Sequence, residues 1–202
     1  LAARGIGAGD HVGLYLLNGV EYLEASLAAH KMRAVPINVN YRYVEAELAY
    51  LFGDAALVGL VHHRQFAPRV AAVRAEVPGL RVLLSVEDGS DADVAALGSE
   101  DYETALAAAS PARDFAERSG DDLYILYTGG TTGMPKGVMW RQEDLFFAAL
   151  GGGNMMGAPL ERPEEIAAKA TERPPFSMIP AAPLMHGSAQ WAAWITLYAG
   201  GT

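Results

Sequence analysis

The chain of 202 residues contains no cysteine. Disulfides and thiolate metal sites are therefore excluded, and a reducing cytoplasm is the expected location. No run of about 18 apolar residues occurs, so no membrane-spanning helix is expected. Charged residues are only 19% of the chain and the balance is acidic, 15 Lys and Arg against 24 Asp and Glu, for a net charge of −9. That excess argues against nucleic acid or an anionic membrane surface as the main partner. The opening Leu1-Ala2-Ala3-Arg4-Gly5 has no initiating Met and no basic-then-apolar leader. What the chain does have is 51% hydrophobic residues, enough for a substantial core. Its length suits one domain or a large part of one. Both ends read as cuts inside a longer protein.

Apolar runs at 12–17, 34–39, 55–61 and 81–86 read as strands. Between them lie segments with helical spacing. Val20, Leu23 and Leu27 mark the first, with Asn18 as its cap and Glu21 as the capping-box partner. Residues 45–52 and 66–76 form the next two. Strands alternating with such helices predict an α/β fold with a parallel core sheet. Pro36 suggests that its strand is an edge or a strand end. Further along, 88–93 reads as an acidic surface loop, 102–109 as a helix and 111–122 as a polar connection. Residues 142–150 read as a helix broken by Gly151-Gly152-Gly153, 164–170 as a short helix, 176–179 as a strand and 185–198 as a helix. No internal repeat appears beyond the βα alternation.

The segment Tyr127-Thr128-Gly129-Gly130-Thr131-Thr132-Gly133-Met134-Pro135-Lys136-Gly137 carries the chemistry. Glycine lacks a Cβ, so successive backbone N–H groups can turn toward one anion. The threonine hydroxyls add donors and Lys136 adds a positive charge. Arg141 is a second local cation. This is the equipment for holding a polyphosphate. The Walker A loop does not fit. Met134 and Pro135 separate Gly133 from Lys136, and Gly137 follows the lysine where Ser or Thr is required. Strand-like runs on both sides place the loop in a hairpin. The plain alternative is an ordinary Gly/Thr hairpin loop.

The segment resembles the phosphate-binding signature of the adenylate-forming superfamily, which includes the acyl-CoA synthetases. Thr128, Gly130, Thr131, Thr132, Gly133, Pro135, Lys136 and Gly137 match its pattern. Gly129 stands where a hydroxyl residue is commoner. Other segments match in the family's order: Gly9-Asp10-His11-Val12 through Asn18, His30 through Asn38 with Arg33 where glycine is usual, and Glu47-Leu48-Ala49-Tyr50. Pro183-Leu184-Met185-His186-Gly187 resembles the motif that lies near the carboxylate substrate.

The resemblance implies a two-step ligase using ATP, Mg²⁺ and coenzyme A. A small-molecule carboxylic acid attacks the α-phosphorus of ATP, and the acyl-adenylate then passes to the thiol. It implies that Thr128, Gly129, Gly130, Thr131, Thr132, Gly133 and Lys136 hold the nucleotide. Thr128 would also touch Mg²⁺, Lys136 would offset charge or anchor the loop to a nearby carboxylate, and His186 would act at the acyl end. Residues 1–202 are then a partial N-terminal domain. Residues 1–120 form its βα-repeat part, and 121–202 the phosphate-loop hairpin and the start of the acyl site. The C-terminal lid domain lies outside, so this chain alone should not complete adenylation. A fatty or similar lipophilic acid is the favoured substrate. An aryl or sterol acid, a non-catalytic nucleotide- or acyl-binding relative, and a homodimer of the parent remain open.

The other candidates have plainer readings. His11, His30, His62 and His63 take surface or cap roles. Asp121-Asp122 is a solvated strand entry sooner than a metal pair. Met155-Met156 and Trp191-Trp194 fit either a lipophilic pocket or core packing.

Overall fold

The computed structural model describes residues 1–129, 133–155, 157–172, 174 and 176–202. Seven strands form one sheet: β1 (His11–Tyr15), β2 (Val35–Asn38), β3 (Leu57–His63), β4 (Val82–Val86), β5 (Glu100–Asp101), β6 (Leu123–Thr128) and β7 (Lys136–Arg141). Their order is β5-β4-β3-β1-β2-β6-β7. Every neighbouring pair is parallel except β6 with β7. The expected α/β fold with a parallel core is thus observed.

Strands buried on both faces read as continuous apolar runs, and the helices cover both sides. On one face α2 (Glu45–Asp54) and α3 (Ala67–Val73) pack Leu48, Leu51, Phe52, Val70 and Val73 against Tyr15, Ile37 and Leu57. On the other, α1 (Val20–Lys31), α4 (Tyr102–Ala107) and α7 (Gly187–Tyr198) pack Tyr22, Ala25, Ala105, Ala189 and Ala193 against Val12, Leu14 and Val61. Alternate residues of β1 serve opposite layers, as a pleated strand requires. A third cluster joins Tyr124 and Trp194 to Leu145 of α5 (Gln142–Ala148) and to Leu150. The short α6 (Ile166–Thr171) completes the α-helices of the described residues.

Three local expectations are corrected. Asn18 does not cap α1; Gly19 holds that position without a side-chain bond, and the Asn18 amide is used elsewhere. Pro36 lies inside the sheet, because β2 sits between β1 and β6. The N–H groups of Val35 and Val39 donate to Asp10 and Leu14. By alternation the missing N–H of Pro36 faces β6, where the backbone ladder is limited to Ile37 opposite Ile125. Residues 176–179 form no strand among the described residues. Instead Met178 N–H donates to Thr202 O, and Thr202 N–H to Phe176 O. The sequence reading also missed β5, whose two residues Glu100 and Asp101 are too few and too polar to give a strand signal.

All parallel strands end along one edge. The chain leaves β1 toward β2 on one side and returns to β3 on the other. In open α/β sheets such a switch point, at the carboxyl ends of the strands, is where ligands bind.

Candidate functional site

The phosphate-like loop is the turn of the β6–β7 hairpin, as its flanking strands predict. Leu123 through Thr128 pair with Arg141 through Lys136, and Thr128 stands directly opposite Lys136. Two of the side chains implied to touch nucleotide, Thr128 and Lys136, thus flank the loop at its base, and both are exposed. Because β6 runs parallel to β2, this turn projects from the carboxyl edge of the sheet. Gly129 and Gly133 are not required by crowding. A Cβ built at Gly129 meets nothing nearer than the Tyr43 hydroxyl at 3.9 Å, and one at Gly133 has no neighbour within 4 Å. The backbone there is open to a bound group. Gly130, Thr131 and Thr132 lie outside the described residues. No carboxylate of a described residue forms an ion pair with Lys136.

Arg141 is not a local cation. The register places it opposite Leu123, at the far end of the hairpin. There Asp121 at 2.6 Å, Glu143 at 3.0 Å and Asp144 at 3.2 Å surround it. Its neighbour Asp122 is held by the forked guanidinium of Arg33, with bonds of 2.8 to 3.1 Å. The two aspartates therefore serve two different arginines and form no metal pair. Burial opposes ionisation of Asp122, but the Arg33 bonds and the Ser119 N–H outweigh it and hold the carboxyl below the usual range. Arg33 adopts φ 60°, the left-handed region that explains why glycine is usual at this position.

His186 is the exposed N-cap residue of α7. The segment before it crosses the carboxyl ends of β1, β2 and β6 and is held there by three side-chain amides. Asn18 Oδ1 accepts Leu184 N–H at 2.7 Å. Gln190 Nε2 donates to Leu184 O at 2.8 Å. Asn38 Nδ2 donates to Met185 O at 2.8 Å. Asn38 also takes both backbone groups of Tyr127: its Oδ1 accepts the N–H at 2.7 Å and its Nδ2 donates to the carbonyl at 2.8 Å. Here the side chain continues the β2–β6 ladder where the backbone pairing stops. Met185 and Asn38 are buried, at 2% and 5% exposure, so these bonds are shielded from water. The structure therefore brings Thr128, Lys136 and the His186 segment to one edge of the sheet.

The sequence reading missed Asn38, Gln190 and Tyr43. Nothing in a single amide foretells its partners 89 and 147 residues away. The surface-or-cap reading is corrected for His62, His63 and His30, while His11 stays only partly buried, its Nδ1 2.6 Å from Ala55 O. His62 is fully buried, with Nδ1 on His63 O at 2.9 Å and Nε2 on Ser99 Oγ at 2.8 Å. His63 accepts Leu17 N–H through Nδ1 at 3.0 Å. Burial lowers the pKa of both. His30 stacks on Tyr124 and meets the edge of Trp194, with ring centroids 6.3 and 6.2 Å away. Trp194 belongs to the packed third cluster, with the partly buried Trp191 against it, so within this chain both pack in the core. Met155 is half exposed, and Met156 lies outside the described residues.

Residues 1–202 match the AMP-binding enzyme family, and the chain belongs to it. The 3-oxocholest-4-en-26-oate–CoA ligase of Rhodococcus rhodochrous is 48% identical over all of this chain and 36% of its own length. The medium/long-chain-fatty-acid–CoA/3-oxocholest-4-en-26-oate–CoA ligase of Mycolicibacterium smegmatis is 47% identical, over 37% of its length. Among solved structures, ATP-bound MatB from Rhodopseudomonas palustris superposes over the whole chain with TM-score 0.75 at 29% identity, across 36% of that protein. The inhibitor-bound N-terminal domain of FACL13 from Mycobacterium tuberculosis does so with TM-score 0.75 at 25% identity, across 45% of its chain. The chain thus spans little more than a third of the length of these curated relatives. No helix among the described residues is long and apolar enough to cross a membrane.

Proposed function

We propose that this chain is the N-terminal part of an acid–thiol ligase that converts a lipophilic carboxylic acid to its acyl-adenylate and then to its coenzyme A thioester. The observation that carries this reading is the hairpin that sets Thr128 and Lys136 across the base of an open glycine loop, beside the segment bearing His186. Membership of the AMP-binding family and the activities of the relatives support it.

In the first step a carboxylate oxygen bonds to the α-phosphorus of ATP and the bond to pyrophosphate breaks. Little covalent chemistry falls to the protein, so positioning and charge neutralisation dominate. Backbone N–H groups of 129–133 cradle the terminal phosphates, with the hydroxyls of Thr131 and Thr132 as further donors. Lys136 offsets their charge. His186 faces the acid and donates to its carboxylate. Mg²⁺ would neutralise phosphate charge. Among the described residues no cluster of His, Asp or Glu could hold a metal; Thr128 would contribute one oxygen to it. In the second step the coenzyme A thiol attacks the acyl carbon and AMP leaves.

The proposed substrates are fatty acids or a sterol side-chain acid, used in cytoplasmic lipid-acid metabolism. Residues 1–202 alone should give no acyl-CoA, since the adenine, ribose and lid contacts of the family lie outside them. The test is exchange of labelled pyrophosphate into ATP by the full-length protein, across medium- and long-chain fatty acids and 3-oxocholest-4-en-26-oate. Exchange that requires one acid class and falls by about 100-fold or more in Lys136→Ala is expected, the size of removing one electrostatic stabiliser. Exchange indifferent to that substitution, or absent with every acid, rejects the proposal.

A further inference from the structure

Two distant parts of the chain meet at one buried side chain. The Asn38 carboxamide satisfies both backbone groups of Tyr127, the residue before Thr128, and the carbonyl of Met185, the residue before His186. Its three bonds are 2.7 to 2.8 Å long and the residue is 5% exposed. Asn18 and Gln190 hold the N–H and C=O of Leu184 from the other side. The peptide units ahead of His186 belong to no helix or strand; side-chain amides hold them, together with one backbone bond from His186 N–H to Pro183 O at 2.9 Å. A shift of the loop strand at Tyr127 must be felt at Met185, because one rigid planar group bonds both.

We propose that Asn38 is a positioning residue that couples the phosphate loop to the acid end of the site, with Asn18 fixing the His186 segment from β1's side. Filling of the loop by nucleotide is transmitted through the Asn38 amide to the backbone before His186, which orders that segment for the acid. The inference rests on the reading of the loop as the ATP site. It goes beyond it by assigning the coupling to amides that touch neither ligand.

Hydrogen–deuterium exchange of the full-length protein, with and without Mg²⁺–ATP, tests it in peptides covering 127–137 and 183–188. In the wild type both peptides gain protection with ATP. In Asn38→Ala the loop peptide keeps its gain, while the gain in 183–188 falls at least fivefold. Equal gains in 183–188 for the two proteins overturn the coupling. A wild type whose loop peptide gains nothing overturns the ATP reading itself, and the coupling with it. Asn18→Ala, at an exposed turn, serves if Asn38→Ala does not fold. It should raise KM for the acid by about 10- to 100-fold, the scale of a small misplacement of a positioned group, with KM for ATP unchanged. A merely structural role would lower the yield of folded protein and leave both constants alone, and that result also refutes the proposal.

Discussion

His30 should make this domain lose stability between pH 6.5 and about 4, ahead of its carboxylates. The residue closes α1 and places its ring between Tyr124 of β6 and Trp194 of α7. Gln142 Nε2 donates to its Nδ1 at 3.2 Å, which requires that nitrogen to be unprotonated. Burial lowers its pKa to about 4, against a smaller opposing pull from Asp122. The unfolded imidazole titrates near 6.5. Above that pH both states are neutral and the contribution is fully present. As pH falls below 6.5 the unfolded state takes up a proton that the folded state refuses, and folding loses about 1.4 kcal/mol per pH unit. The loss levels off once the folded imidazole also protonates near pH 4, by when it amounts to roughly 3 kcal/mol. Some of the ring's residue surface reaches solvent, so this is a ceiling. His62 and His63 are also lowered by burial and steepen the same limb. Asp88, held to about 2 by its bonds to Ser90 and Gln65 against the cost of burial, adds its loss only at lower pH. Urea unfolding at pH 7, 6 and 5, followed by tryptophan fluorescence from the cluster around Trp194, checks the point in the wild type and in His30→Phe. The variant should show a slope smaller by about one proton over that range. Parallel slopes would refute the argument, whatever the absolute stabilities.

Gly137 lies under the loop, and a Cβ there would stand 3.0 to 3.1 Å from the Tyr127 ring and Ile125 Cγ2. Gly137→Ala should cost about 1–3 kcal/mol by overpacking and reduce nucleotide binding, read by denaturant midpoint and ATP titration; an unchanged midpoint would show that the hairpin gives way freely. Arg33→Ala loses the Asp122 bonds and keeps the left-handed backbone, whereas Arg33→Gly loses the same bonds and relieves it. The glycine variant should therefore melt above the alanine variant, and the reverse order would show that φ 60° is not strained here.

The parts of this molecule legible in the sequence are those fixed by local periodicity and local chemistry. The apolar runs of β1, β3 and β4 announce strands because both of their faces are buried. The hairpin was readable because strand-like runs flank the loop on both sides. The errors share one cause, a local rule overridden by a distant partner. Asn18 before a helical stretch looks like a cap, and locally it would be a good one. Its amide is instead committed to Leu184 N–H and Ala182 O, 166 and 164 residues away. Pro36 looks like an edge residue because its strand seems to lose a ladder bond. Asn38 supplies the link to β6 from a side chain, and the proline is tolerated inside the sheet. Arg141 looks close to the loop in sequence, but five residues of extended strand carry it roughly 17 Å away. The histidines read as surface groups because a lone titratable residue usually is one; Ser99 and His63 O satisfy His62 where it is buried. In each case composition gave the chemistry available and the fold decided which partner received it. The candidate site follows the same division. The proposed phosphate-binding groups sit in one contiguous motif, and His186 in a second, so both could be read directly. The amides that hold the motif against His186 come from β2, the turn after β1 and α7, and only the sheet order brings them together.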